Sequence, residues 1–185
     1  MPNWCLNKLT VEHSDPSMVD RVVKAYNKGT LCNEFIPEPD NLDKNDSMGP
    51  NGWWTWRVNN WGVKWDVGAD EGSEREEYHG LKATVVGNQA NCSFDSPWAP
   101  PLGLYSKLFE LGYNVKASYW EPGMAFCGLY DNGFDNYIDY PNKDMIPIAL
   151  WNEFDMSEFF KDEVEAYCLI FVFILALVNT INIGK

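Results

Sequence analysis

Residues Trp53 to Asp66 read WWTWRVNNWGVKWD and hold five of the chain's nine tryptophans. A Trp or Tyr buries roughly 150–250 Å² and dominates the energetics of whatever surface it joins. Five indoles so close together cannot all face water without making a large adhesive patch. Any fold of this chain must therefore be organised around the stretch. Trp54 and Trp56 fit one face of a strand, and Trp61 and Trp65 fit one face of a helical turn. Asn59, Asn60 and Gly62 between them are turn formers. The expected order is a short extended piece, a turn, then an irregular or one-turn helical piece, with Lys64 and Asp66 pairing or capping locally. Burial under a long loop is the first expectation for these rings, since Trp is highly buried on average. A rigid aromatic platform for a partner is the alternative.

The rest of the chain supplies a recognisable alternation of elements. Trp4–Glu12 alternates as a strand. Ser14, Asp15 and Pro16 then give an N-cap and first-turn proline for a helix with Met18, Val22, Val23 and Tyr26 on one stripe, stopped by Gly29. A long connection, Phe35 to Gly52, precedes the tryptophan stretch. An acidic loop follows it, with Asp70, Glu71, Glu74, Glu76 and Glu77 around one Arg75. Leu81–Gly87 and Ala90–Phe94 read as a hairpin joined at Asn88-Gln89. Pro101–Gly112 reads as a second helix with Leu104, Leu108 and Leu111 on one face. Tyr113–Glu121 and Met124–Tyr130 are strands joined at Pro122-Gly123. Asn132-Gly133 marks a further turn before FDNYIDY. The layout is β-α-insert-β-β-α-β-β, an α+β chain of ferredoxin-like β-α-β-β-α-β type with an extra hairpin strand. The expected domain runs over 1–140 with its insert at 30–78, and 141–185 forms an extension.

Four segments carry a family resemblance. The opening MPNWCLNKL, the central NNWGVKWD, FDSPWAPP before the second helix and the hairpin YWEPGMAFCG resemble the YubB-type ferredoxin-like family of plasmid and phage proteins. The likeness covers about residues 1–140 and departs from the family pattern at Val63 and at Asp95-Ser96-Pro97. It implies the ferredoxin-like fold and a mobile-element origin, and it carries over no catalytic residue.

Charge narrows the partner class. The chain has 27 acidic and 14 basic residues, a formal charge of −13. Nucleic-acid affinity comes from Lys and Arg neutralising phosphates, so direct binding to nucleic acid is not expected. A basic protein surface is the complementary partner, including one that ordinarily binds DNA, which the acids would mimic. A second acidic group, Glu153, Asp155, Glu158, Asp162, Glu163 and Glu165, precedes the apolar run Ala166–Val178. That run is shorter than the roughly 20 residues a membrane-spanning helix needs. It is expected to be buried, with a membrane anchor through 166–183 or a homo-oligomer contact as alternatives.

Chemistry-bearing motifs are scarce. There is no phosphate-binding glycine loop, no H-E-x-x-H and no nucleophile elbow. Five scattered cysteines without C-x-x-C, and only His13 and His79, make no zinc set and suit a reduced, cytoplasmic chain. No metal, cofactor or catalytic residue is assigned. The candidate binding residues are Trp54, Trp56, Asn60, Trp61, Lys64, Trp65, Asp66, Trp98 and Glu121. Polar groups among aromatics orient ligands, but they also satisfy the backbone of irregular loops, and for Asn60, Lys64, Asp66 and Glu121 the second role is the expectation. The functional expectation is a mobile-element accessory protein that binds and blocks a host protein, an anti-defence role among them. The alternative is a small-ligand or enzymatic domain using the tryptophan platform.

Overall fold

The structure is a computed structural model, and it describes residues 2–69 and 82–161. The chain divides into two units, Met1–Met145 and Ile146–Lys185. The acidic loop around Asp70, Glu71, Glu74, Glu76 and Glu77 lies outside the described residues. So do Asp162, Glu163, Glu165 and the apolar run 166–183.

The first unit is built on β1 (Trp4–Glu12), where Cys5, Asn7, Leu9 and Val11 are buried in strict alternation. Helix α1 (Pro16–Asn27) follows; Asp15 caps it by accepting from the Ser17 N–H, as the Asp-Pro pair predicts. Next come α2 (Leu31–Phe35), α3 (Trp53–Asn60), β2 (Thr84–Val86), β3 (Gln89–Pro97), α4 (Leu102–Glu110), β4 (Asn114–Glu121), β5 (Phe126–Asp131) and β6 (Phe134–Asp139). The six strands of the described residues form one antiparallel sheet in the order β2-β3-β1-β4-β5-β6. The fold class is α+β.

Side-chain alternation sends Leu9, Val11, Cys92, Phe94, Val115, Ala117 and Tyr130 to one face. There they form a single core with Val19, Val22 and Tyr26 of α1 and Leu104, Tyr105 and Leu108 of α4. Asn7 is a buried polar member of this face. Its amide donates to the Cys5 carbonyl (2.7 Å) and Ser96 Oγ (2.8 Å) and accepts from the Tyr105 hydroxyl (3.0 Å), which offsets its burial. On the opposite face Trp120 and Cys127 are buried as well, and Trp120 Nε1 donates to the Tyr140 hydroxyl at 2.7 Å.

One expectation is corrected, one alternative is selected and one strand is added. The Trp54–Trp56 segment is helix α3, not a strand. An arginine midway between aromatics suits period 3.6, because Trp53, Arg57 and Trp61 fall at i, i+4 and i+8 and touch along one stripe. Residues 61–65 form turns and bends, the irregular one of the two forms expected there. FDNYIDY, left without an element by its sequence, is the sixth strand. Asn132 and Gly133 at φ 47° and 91° form the left-handed two-residue turn whose twist sets β6 against β5.

The second unit begins at Ile146, and its described part holds α5 (Ile148–Glu153) and α6 (Met156–Phe159). Trp151 stacks on Phe160 with ring centroids 5.3 Å apart.

Candidate functional site: a three-indole platform

The end of the aromatic insert is locked by one cation. The Arg57 guanidinium lies 5.0 Å from the ring centroids of both Trp53 and Trp61. Its Nε and Nη2 donate to Glu38 Oε1 (2.9 Å) and Oε2 (2.7 Å), a forked pair that fixes orientation. Trp61 is 1 % exposed; its Nε1 donates to the Ile36 carbonyl at 2.9 Å, and Trp56 meets it edge-on at 5.7 Å. Gly103 sits so close that a Cβ there would lie 2.0 Å from the Asn60 carbonyl oxygen, so this junction of α3 and α4 admits only glycine.

With Trp61 fixed, the chain that follows is directed residue by residue. Val63 and Val67 are buried. The Asp66 carboxylate accepts from the Cys32 (2.6 Å), Val67 (2.9 Å) and Asn33 (3.0 Å) N–H groups, so it caps α2 from across the chain. Burial raises the pKa of this carboxyl above the usual value, against the three hydrogen bonds, which lower it. Lys64 and Trp65 are half-buried. Trp65 lies 6.2 Å from Trp4 and 6.3 Å from Trp98, centroid to centroid, with tilts of 36° and 30°. The Lys64 ammonium sits 4.6 Å from the Trp65 ring and 5.7 Å from Trp98.

This platform gathers side chains from the start of β1, the end of the insert and the β3–α4 loop. The register of β1 on β3 sets Trp4 opposite Pro97, the residue before Trp98. Trp98 is 41 % exposed and held at φ 63°, a conformation L side chains seldom adopt, while its N–H donates to the Asn3 carbonyl at 2.9 Å. A bulky residue kept exposed in a strained backbone is the kind of outlier that marks a binding surface.

Of the candidate residues, Lys64, Trp65 and Trp98 come together here. Trp56 and Trp61 belong to the core, and Asn60 donates from its side chain to the Trp56 carbonyl at 2.8 Å. The Trp54 N–H is spent on the Ser47 carbonyl at 3.1 Å. Glu121 is fully buried at the C-terminal end of β4 and accepts from the Gly123 (2.9 Å) and Met124 (2.6 Å) N–H groups, closing the β4–β5 turn. Asp66 and Glu121 thus serve the backbone. Sequence reasoning missed Trp4 and Arg57. Trp4 stood within the opening motif, and Arg57 was signalled by its spacing of four from Trp53 and Trp61.

Beside the clamp lies an open cavity of about 450 Å³ lined by Glu38, Asp40, Leu42, Lys44, Trp53 and Arg57. Cys5, Cys32, Cys92 and Cys127 are all buried, and burial raises their thiol pKa values, to about 11 for Cys127 and about 12 for Cys92. Among the described residues no group of three or more His, Cys, Asp or Glu is placed to hold a metal ion. Among the same residues no helix is long and apolar enough to cross a membrane.

No family model matches the chain, and no curated protein matches it. The chain is similar to a crystal structure of protein api92 from Yersinia pseudotuberculosis, of family DUF1281. The identity is 10 % over 77 % of this chain and 99 % of that one, with a TM-score of 0.42.

Proposed function

We propose that this chain is a protein-binding module that acts through the Trp4–Trp65–Trp98 platform on a partner with a basic surface. The observation that carries it is Trp98, exposed at a left-handed φ beside the Lys64 ammonium and the Trp65 indole, which in turn meets Trp4. Tryptophan and aromatic clusters are where binding energy concentrates at protein interfaces. The charge of −13 supports a basic partner by complementarity, which raises association rates and rejects acidic competitors. We read the domain as ferredoxin-like and of YubB type, a plasmid- or phage-encoded accessory protein of the cytoplasm that blocks a host protein. The spatial order β4-β1-β3-β2 with antiparallel neighbours, and the four motif segments, support that reading. Affinity capture from bacterial lysate tests it. A stoichiometric protein should be retained by the wild type, released as salt rises, and lost with Trp98→Ala. Retention undiminished by Trp98→Ala, or by salt, overturns the proposal.

One observation favours a second reading, a small-ligand site. The cavity beside Arg57 joins both charge signs to the Trp53 ring, a mixed lining suited to a polar aromatic or zwitterionic molecule. Native mass spectrometry of the purified protein decides it: a bound small molecule lost in Lys44→Ala supports this reading, and a ligand-free mass rejects it.

A further inference from the structure

The sheet ends in two unlike edges. At one end β2 spans Thr84–Val86, too short to template much. At the other, β6 spans Phe134–Asp139 and, among the described residues, pairs in the sheet with β5 alone. In an antiparallel strand every second residue turns its N–H and C=O away from the neighbour, so β6 offers a row of outward backbone groups. Its side chains leave that row accessible: Phe134 is 70 % and Tyr137 51 % exposed. Proteins commonly blunt such edges with lysine or proline. β6 has neither and carries two acids instead.

The acids occupy one face in a fixed pattern. Asp135, Tyr137 and Asp139 alternate on the helix-covered face. There Asp135 accepts from the Tyr119 hydroxyl at 2.8 Å, Asp139 from the Tyr137 hydroxyl at 2.7 Å, and the Tyr137 ring packs 5.3 Å from Phe126. A second copy of this chain paired symmetrically about Tyr137 would set Asp135 against Asp139 of the other copy at both ends. Like charges directly opposite on a sheet are destabilising. The same positions favour a strand with Lys or Arg at alternate residues.

We infer that β6 is a docking edge for an extended, basic segment of a partner protein, which adds as a seventh strand and places alternate Lys or Arg side chains beside Asp135 and Asp139. Main-chain hydrogen bonds supply affinity and the alternating charges supply choice, the division of labour seen wherever a peptide augments a sheet. The inference shares the basic partner with the proposed function but uses a different surface.

A synthetic eight-residue peptide with alternating Lys and Val, capped at both ends, is the probe. Calorimetry should show binding that weakens with salt and falls more than tenfold for Asp135→Asn/Asp139→Asn, which keeps both tyrosine hydrogen bonds available. N-methylation of alternate peptide amides leaves the charge intact and should weaken binding more than tenfold. Hydrogen exchange of outward β6 amides should slow on binding. Trp98→Ala should leave peptide affinity unchanged, so this edge and the indole platform are tested separately. Equal affinity for the N-methylated peptide, or unchanged β6 exchange, would reduce the effect to general charge attraction and overturn the inference. Dimerisation of the wild type through β6 in analytical ultracentrifugation would overturn it in favour of a second copy.

Discussion

Replacing Trp61 with alanine should be the most damaging single change in the insert. Its ring is 1 % exposed, so nearly the whole indole is lost from the core. At about 25 cal/mol per Å², an area of roughly 200 Å² gives about 5 kcal/mol, and Trp→Ala core changes cost roughly 3–5 kcal/mol. The Ile36 carbonyl also loses its 2.9 Å donor, and a buried acceptor left alone costs about 1–3 kcal/mol more where water cannot reach it. Partial collapse of the site offsets some of this, leaving an expected loss of about 5 kcal/mol against a typical total of roughly 5–15 kcal/mol. Trp61→Phe keeps most of the volume but not the N–H and should cost about 2 kcal/mol. Trp65→Ala is the control: the ring is half-buried, and its loss should cost about 1–2 kcal/mol. Urea unfolding followed by far-ultraviolet circular dichroism gives all three values at a common m. A Trp61→Ala midpoint no lower than that of Trp65→Ala would refute the assignment of Trp61 as the anchor.

Further consequences concern packing, pH and thiols. Gly103→Ala places a Cβ 2.0 Å from the Asn60 carbonyl oxygen and should destabilise by about 2–3 kcal/mol in the same urea assay. Burial pushes the Asp95 carboxyl up to about 7. A raised folded pKa means the stability it contributes is full below the unfolded value near ~3.9 and is lost as pH rises through 7. Asp95→Asn should therefore be more stable than wild type at pH 8, by about 2 kcal/mol after discounting solvent screening, with the difference vanishing near pH 4. Equal stability at pH 8 would count against it. Cys5, Cys32, Cys92 and Cys127 should resist alkylation at pH 8 until urea unfolds the chain, as peptide mapping would show; labelling of any of them in the native protein contradicts their burial.

The sequence made α1 legible because Asp15 and Pro16 mark its start and its apolar stripe has one period. The insert was harder. Trp54 and Trp56 satisfy a period of two, while Trp53, Arg57 and Trp61 satisfy a period of four. Only contacts with Glu38 and α4 decide in favour of the helix. Strand β6 was hidden because none of its residues is buried, yet the Asn-Gly turn before it announced a hairpin. The platform was half visible: Lys64, Trp65 and Trp98 were candidates, but Trp4 joins them only through the β1–β3 register, which no local pattern encodes. Asp66 and Glu121 were expected to satisfy the backbone of irregular loops, and both accept from backbone N–H groups, whose identity a sequence does not display.

The Trp98→Gly substitution tests the central claim most directly. Glycine removes the ring and adopts φ 63° without strain, so the relief of about 1 kcal/mol or more offsets part of the lost packing and the domain should stay folded. The measurement is the affinity of the captured partner for wild type and Trp98→Gly at one salt concentration, with urea midpoints taken on the same samples. A loss of more than tenfold in affinity with a fold of near wild-type stability is the predicted result. Unchanged affinity in a fully folded Trp98→Gly protein would contradict the assignment of the indole platform as the recognition surface.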